Sequence, residues 1–255
     1  REAGAGDTLK DLSLGLLQKI RDLEIQDCEG LESLSFEHGS ENLASLGSIL
    51  LWGCGNLRSF LQEGLPAANL TWIMLYGCKK LKLLPKGMRS LLPSLRLLYM
   101  WNCPEIECFP EEGLPFSLET LEIYNCEILM SRRREWNLQT LPSLRELMIG
   151  ETHQQLFPED WLLPSTLRVL RIYFLHDLEA LSYKSLKQLI SLETLCIWGC
   201  HHLQSLPKEG LPRSLSQLIV YDCPLLKPHL DCATGQEWRK VAHISCLMVD
   251  GEFVP

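Results

Sequence analysis

The 255-residue sequence predicts an α/β-type solenoid, a stack of short coils that each contribute one strand to a parallel sheet. Two observations carry this expectation. A frame centred mostly on cysteine recurs with slots at Cys28, Cys54, Cys78, Cys103, Cys126, Thr152, Leu175, Cys200 and Cys223. Its spacing of about 24 residues lies in the leucine-rich-repeat range. The apolar positions around the slots also share one register: Leu23, Ile25, Cys28, Leu31, Leu34 is matched by Ile49, Leu51, Cys54, Leu57, Phe60, and far downstream by Leu195, Ile197, Cys200, Leu203, Leu206. The expected architecture is a leucine-rich-repeat horseshoe, with a parallel β-sheet on the concave face and mostly irregular or short 3-10 segments on the convex face. About nine repeats are expected over residues 1–226, irregular at 127–166, followed by a C-terminal cap over 227–255.

Each part of the frame has its own physical reason. Alternation such as Leu195 and Ile197 is a period-two signal, so these side chains point inward and Thr194, Cys196 and Trp198 outward. From the slot the apolar residues come at threes, as in Cys200, Leu203, Leu206, which suits a chain curving back over the core. Proline follows in Leu84-Pro85, Phe109-Pro110 and Leu206-Pro207, where a missing backbone donor is harmless off the sheet. The returning arc reuses Glu-Gly-Leu-Pro at 63–66, 112–115 and 209–212, with glycine supplying a turn. After Cys223 the frame lapses, and Trp238, Val241, Ile244 and Val249 are positioned to cover the open end of the last coil.

The slot cysteines read first as structure. Where the chain leaves the strand, its buried backbone groups lose sheet partners, and a small side chain with weak hydrogen-bonding capacity is useful there. Seven of the eleven cysteines occupy slots. Parallel strands about 4.8 Å apart would also bring adjacent slots within reach of a disulfide. The odd count and the lack of a visible secretory signal favour reduced thiols in a cytoplasmic setting.

Composition narrows the function. A net charge of −8 and a pI near 5.4 argue against a phosphate-backbone binder, and so against nucleic acid as a partner. No run of apolar residues is long enough for a membrane segment. The P-loop, nucleophile-elbow, zincin and paired Cys-x-x-Cys motifs are missing, and His201-His202 beside Cys200 lacks a second ligand pair. No enzyme, catalytic residue or metal site is therefore expected.

What the repeat leaves free is the outward face. Two residues before the slots stand Gln26, Trp52, Tyr76, Trp101, Tyr124, Gly150, Tyr173, Trp198 and Tyr221, mostly aromatic. Two residues earlier, Glu24, Leu50, Met74, Tyr99, Glu122, Met148, Arg171, Cys196 and Ile219 are unusually apolar for a solvated face. Aromatic columns of this extent mark a partner surface, since Trp and Tyr combine large contact area with a polar tip; the plainer account is that the rings only stack on one another. The candidate contacts are Trp52, Tyr76, Tyr99, Trp101, Tyr124, Arg171, Tyr173, Trp198 and Tyr221. A second candidate is the interruption after Cys126, where Arg132, Arg133, Arg134 and Trp136 form a basic, aromatic-tipped loop able to grip an acidic surface, or simply a solvated loop.

The frame, the Glu-Gly-Leu-Pro arcs and the ending together resemble the C-terminal leucine-rich-repeat region of plant nucleotide-binding leucine-rich-repeat immune receptors of the coiled-coil class. The ending comprises Cys223-Pro224-Leu225-Leu226-Lys227, then Gly235-Gln236-Glu237-Trp238 and Val241-Ala242-His243-Ile244. The likeness runs from about Leu9 onward. It implies a cytosolic recognition region that binds a pathogen effector, or a host protein the effector has altered, and that helps hold an intramolecular nucleotide-binding domain inactive. This stretch needs no cofactor of its own; the ADP or ATP implied by the resemblance belongs to that other domain. A ubiquitin-ligase substrate adaptor and a secreted enzyme inhibitor are rival readings of the same architecture.

Overall fold

The computed structural model describes residues 10–14, 19–36, 43–230 and 235–254; Leu9 and residues 231–234 of the expected cap lie outside them. The chain forms two compact units. One comprises the described residues up to Leu118 together with Asn125–Trp136, the other Glu119–Tyr124 together with the described residues from Asn137 onward.

In the first unit the strands are β1 (Asp11–Ser13), β2 (Asp22–Gln26), β3 (Ser33–Ser35), β4 (Ser48–Trp52), β5 (Ser59–Phe60), β6 (Trp72–Tyr76) and β7 (Leu97–Trp101), with a one-turn helix α1 (Met88–Leu91) between the last two. A parallel sheet runs β2-β4-β6-β7, pairing Leu23, Ile49, Ile73 and Leu98 in one row and Ile25, Leu51, Leu75 and Met100 in another. Both rows point inward, as alternation requires, and all but the edge residue Ile25 are buried. A second, smaller parallel sheet, β1-β3-β5, forms where the bend residues Leu34 and Phe60 stack. The chain thus already makes a partial coil before the first slot.

The spacing of three after each slot is a turn. The amide of Leu31 donates to Cys28 O, Leu57 to Cys54 O, Leu81 to Cys78 O and Ile106 to Cys103 O, at 3.1–3.3 Å. The Glu-Gly-Leu-Pro arcs also share one geometry: Gly64, Gly113 and Gly210 have φ of 99°, 82° and 94°, and a β-carbon at Gly113 would overlap the Arg89 guanidinium.

The second unit contains β8 (Thr120–Tyr124), β9 (Glu146–Thr152), β10 (Leu156–Phe157), β11 (Val169–Leu175), β12 (Ala180–Leu181), helix α3 (Tyr183–Gln188), β13 (Thr194–Trp198), β14 (Gln217–Tyr221), β15 (Cys246–Val249) and β16 (Glu252–Val254). Its main sheet runs β8-β9-β11-β13-β14-β15-β16, parallel except for the last pair. The parallel sheet therefore continues one strand past the point where the cysteine frame lapses. Leu247 and Val249 pair with Leu218 and Val220 and are buried in the same inward rows. Glu237, from the ending that carries the resemblance, is buried, accepts from the Leu206 amide at 2.9 Å and pairs with Lys240, whose Nζ also donates to Leu206 O. That clamp ties the closing segment to the backbone of the bend at Leu206.

The slot cysteines form a ladder of thiol contacts. Five of the seven donate to the carbonyl of the second inward residue of the preceding coil: Cys54 to Ile25, Cys78 to Leu51, Cys103 to Leu75, Cys126 to Met100 and Cys223 to Ile197, with Sγ···O of 3.4–3.9 Å. Burial, with Cys78 nearby, pushes the Cys54 thiol up to about 12. A hydrogen bond with Cys103 and burial push Cys78 up as well, and Cys223 and burial do the same for Cys200. The ten described cysteines are free thiols.

Two measurements test this packing. Ile197→Asp puts an unpaired charge between coils and should lower stability by about 3 kcal/mol or more, read by thermal unfolding; no change would mean the strand register is off by one residue. In the native protein at pH 8, an alkylating reagent should modify the partly exposed Cys28, Cys108 and Cys246 and spare the buried slot thiols. Denaturation without reductant should then free nearly all eleven.

Candidate interaction surface

The outward columns stand in the register that alternation predicts. In the first unit Gln26, Trp52, Tyr76 and Trp101 are aligned, and Leu50, Met74 and Tyr99 form the next column. Trp52 stacks on Tyr76 with centroids 3.8 Å apart and planes within 9°, and Trp72 meets Tyr99 edge-on at 6.5 Å. In the second unit Tyr124, Gly150, Tyr173, Trp198 and Tyr221 are aligned, and Arg171 lies between Met148 and Cys196. Arg171 donates to Glu146 at 2.9 Å, so it serves the sheet face as half of an ion pair. Trp52, Trp198 and Tyr221 are the most open aromatics of the column, at 37%, 41% and 42% exposure, while Tyr76, Tyr99, Trp101, Tyr124 and Tyr173 are half-buried. The rings therefore both stack and stay accessible.

The basic interruption is different from its expected form. After Cys126 the chain enters helix α2 (Glu127–Ser131), which buries Leu129, the regular first bend residue, together with Met130. Arg132 and Arg134 are exposed, but Arg133 folds back to donate to Met130 O at 3.0 Å. Trp136 is not a surface tip: it is 3% exposed and packs on Phe109 at 5.5 Å. An apolar anchor against Phe109 thus replaces the predicted aromatic contact.

The structure adds a row that the outward columns do not contain. The residue just before each slot is left-handed: Asp27, Gly53, Gly77, Asn102 and Asn125 in the first unit, Glu151, Phe174, Gly199 and Asp222 in the second, with φ of 47–67°. This conformation lets the amide continue the ladder while the chain turns inward, as Gly53 N donates to Tyr76 O at 2.8 Å and Gly199 N to Tyr221 O at 3.0 Å. Glycine, asparagine and aspartate suit it; glutamate and phenylalanine do not. The signal was present in the sequence as a run of Asp, Gly and Asn one position before the slot.

Glu151 and Phe174 therefore stand out. They lie in the coils whose slots are Thr152 and Leu175 and whose strands, β9 and β11, extend to seven residues instead of five. Both side chains are engaged on the outward side. Glu151 accepts from Tyr124 Oη at 3.0 Å and pairs with His176 Nε2 at 2.9 Å. His153 pairs with Asp177 at 2.9 Å, and its ring lies 5.3 Å from that of His176. Phe174 sits edge-on to Tyr124 at 6.4 Å and beside Trp198 at 6.3 Å. Two glycines make the room, since a β-carbon at Gly150 would lie 2.6 Å from the Tyr124 ring and one at Gly199 would overlap the Phe174 ring. Burial alone would raise the Glu151 carboxyl, yet the hydrogen bonds from His176 and Tyr124 hold it below the usual range. Tyr124, Phe174, Trp198 and Tyr221 thus form an aromatic strip edged by histidine–carboxylate pairs, which His201–Asp222 at 3.1 Å continues. Among the described residues, no group of three His, Cys, Asp or Glu converges as a metal site.

Strand register, inward leucine rows and turn geometry define a leucine-rich-repeat protein. No protein-family model matches the chain. It is nonetheless related in sequence, over nearly its whole length, to a disease-resistance protein of plants: the Arabidopsis thaliana protein named "Putative disease resistance protein At3g14460" is 38% identical over 247 residues, or 96% of this chain. The chain spans 17% of that relative's length. Among solved structures, the leucine-rich-repeat domain of the type III effector XCV3220 (XopL) superposes with a TM-score of 0.54 at 20% identity, covering 82% of this chain and 75% of its own. CroV588, a circular leucine-rich-repeat protein, gives 0.48 at 20% identity over 75% of this chain and 27% of its own.

The Glu151 network is testable by pH. Because the folded carboxyl titrates below its unfolded value of about 4.3, its contribution is present above that pH and disappears as pH falls through the folded value. Glu151→Gln should cost no more than about 1 kcal/mol near neutrality, given the partial exposure, and the gap to wild type should close below about pH 4. Unfolding curves across pH 3–8 would show it; a gap independent of pH would exclude the carboxylate as its source.

Proposed function

We propose that this chain is the recognition region of a plant intracellular immune receptor, and that the aromatic strip Tyr124, Phe174, Trp198 and Tyr221 is where it engages a pathogen effector or an effector-modified host protein. One observation carries this reading. Two coils depart from the frame together, in slot, strand length and left-handed residue, and both departures project side chains onto the outward face. Backbone conformations unfavourable for Glu and Phe persist when surrounding contacts over-determine them, and such positions cluster where proteins bind. The relative's name supports a resistance role, and the exposed Trp and Tyr suit a contact hot spot.

In this reading the chain acts by binding and not by catalysis, requires no cofactor itself, and works in the cytoplasm. It contributes to restraining an ADP- or ATP-bound nucleotide-binding domain elsewhere in the receptor until the partner arrives. No helix among the described residues is long and apolar enough to cross a membrane.

The double variant Trp198→Ala/Tyr221→Ala leaves Leu195, Ile197, Leu218 and Val220 in place beneath, so thermal stability should fall by only about 1 kcal/mol of lost ring contact. Effector binding or effector-triggered cell death with the full receptor should fall at least tenfold per anchor, at about 2 kcal/mol each. Early unfolding would mean that the rings serve stacking; normal folding with an undiminished response would move the contact off this strip.

A further inference from the structure

The first unit carries a second feature on its outward face. The outward positions of β4, β6 and β7 are Ser48, Leu50, Trp52, Trp72, Met74, Tyr76, Leu97, Tyr99 and Trp101, without a single charge. The adjoining β2 presents Asp22, Glu24 and Gln26, followed by the left-handed Asp27. An acidic strand thus borders an aromatic platform, and none of these outward strand positions is basic.

The detail at the border matters more than the sum of charge. Tyr76 covers one face of the Trp52 indole in a parallel stack, so the other face is turned toward β2, and the residue as a whole keeps 37% exposure. Gln26, the register partner of Trp52, donates its amide to Glu24 and so orients that carboxylate. Gly53, immediately after Trp52, has no β-carbon, and the Asp27 carboxylate lies across the space one would occupy. Asp27 is pinned there by its own amide, which donates to Trp52 O at 2.7 Å. Ser48 holds Asp22 at 2.5 Å one row further along, and Lys80, in a loop two coils on, is engaged by Asn56 at 2.7 Å.

We propose that the open face of Trp52, with the Glu24 and Asp27 carboxylates, is a pocket for an arginine side chain of a partner protein, whose neighbouring apolar residues lie on Leu50, Met74 and Tyr99. This rests on the reading of the chain as a protein-recognition region. A planar guanidinium continues the stack that Tyr76 begins on the other face of Trp52, and its N–H groups fork toward carboxylates on the β2 side. Lysine supplies the charge without the plane, and a neutral side chain leaves the two carboxylates facing an apolar surface.

The test uses a short peptide with one arginine between leucines, and the same peptide with citrulline, which keeps the shape and removes the charge. Binding to this chain is followed by the Trp52 indole N–H resonance, assigned with Trp52→Phe. The arginine peptide should shift that resonance and bind about fivefold tighter or more than the citrulline peptide. Glu24→Gln/Asp27→Asn should erase the preference while folding normally, because both positions are exposed and asparagine suits the left-handed site. Equal affinity of the two peptides, no response of Trp52 to either, or a charge preference that survives the double variant would each overturn the proposal. The broader recognition role fails separately, through the Trp198 and Tyr221 variants, which leave this pocket intact.

Discussion

Every coil of this protein has to leave a buried parallel strand and bend back over its core without stranding backbone polar groups, and the solution is the same two-residue device each time. A left-handed residue keeps its amide in the ladder while reversing the chain, and the next residue drops a small side chain inward. When that side chain is cysteine, its thiol reaches a carbonyl of the preceding coil, as Cys103 does with Leu75. The contact is weak singly, but it recurs at the depth where an unmade hydrogen bond is costly. The repeated cysteines are thus a consequence of coil stacking, and the thiols of Cys54 and Cys78 are pushed up by burial and by their neighbouring thiols.

The irregular copies show what happens when the device is altered. Thr152 and Leu175 replace cysteine, Glu151 and Phe174 replace the residues that tolerate positive φ, and the strands lengthen so that Leu175 pairs with Thr152. The strain is held by contacts to neighbouring coils: Glu151 by Tyr124 and His176, Phe174 by the space above Gly199. A solenoid can accommodate this because each coil depends mainly on its neighbours, so a local cost is met locally. The departures also change what the outward face offers, adding an acid, histidines and a phenylalanine to a column otherwise made of Trp and Tyr.

The two units present different chemistry on their outward faces. The first is an uncharged aromatic platform edged by the acids of β2; the second interleaves aromatics with ion pairs, Arg171–Glu146 and the histidine–carboxylate row. Since sheet positions repeat every two residues and coils every strand, a single substitution changes one tile of such a surface and leaves the core rows untouched. That separation of core from contact is the physical basis on which a repeat protein of this kind can vary its specificity.

The sequence by itself determined the coil period, the inward rows such as Ile123, Ile149, Ile172 and Ile197, and the outward columns, because all three follow from periodicities of two, three and about 24 that survive without knowing any long-range contact. The left-handed row was legible too, in Asp27, Gly53, Gly77, Asn102 and Asn125, once the position before the slot is taken as a column of its own. Only the tertiary structure decided that β15 extends the sheet beyond the last cysteine slot, since Leu247 and Val249 carry no cysteine to mark them. It also decided that Trp136 is buried against Phe109, because the chain after Cys126 takes a helical path that the repeat frame does not specify. The pairing of Glu151 with Tyr124 and His176 was likewise beyond the pattern. Those residues are 27 and 25 positions away along the chain, and their meeting depends on how side chains lean across neighbouring strands, which no period in the sequence encodes.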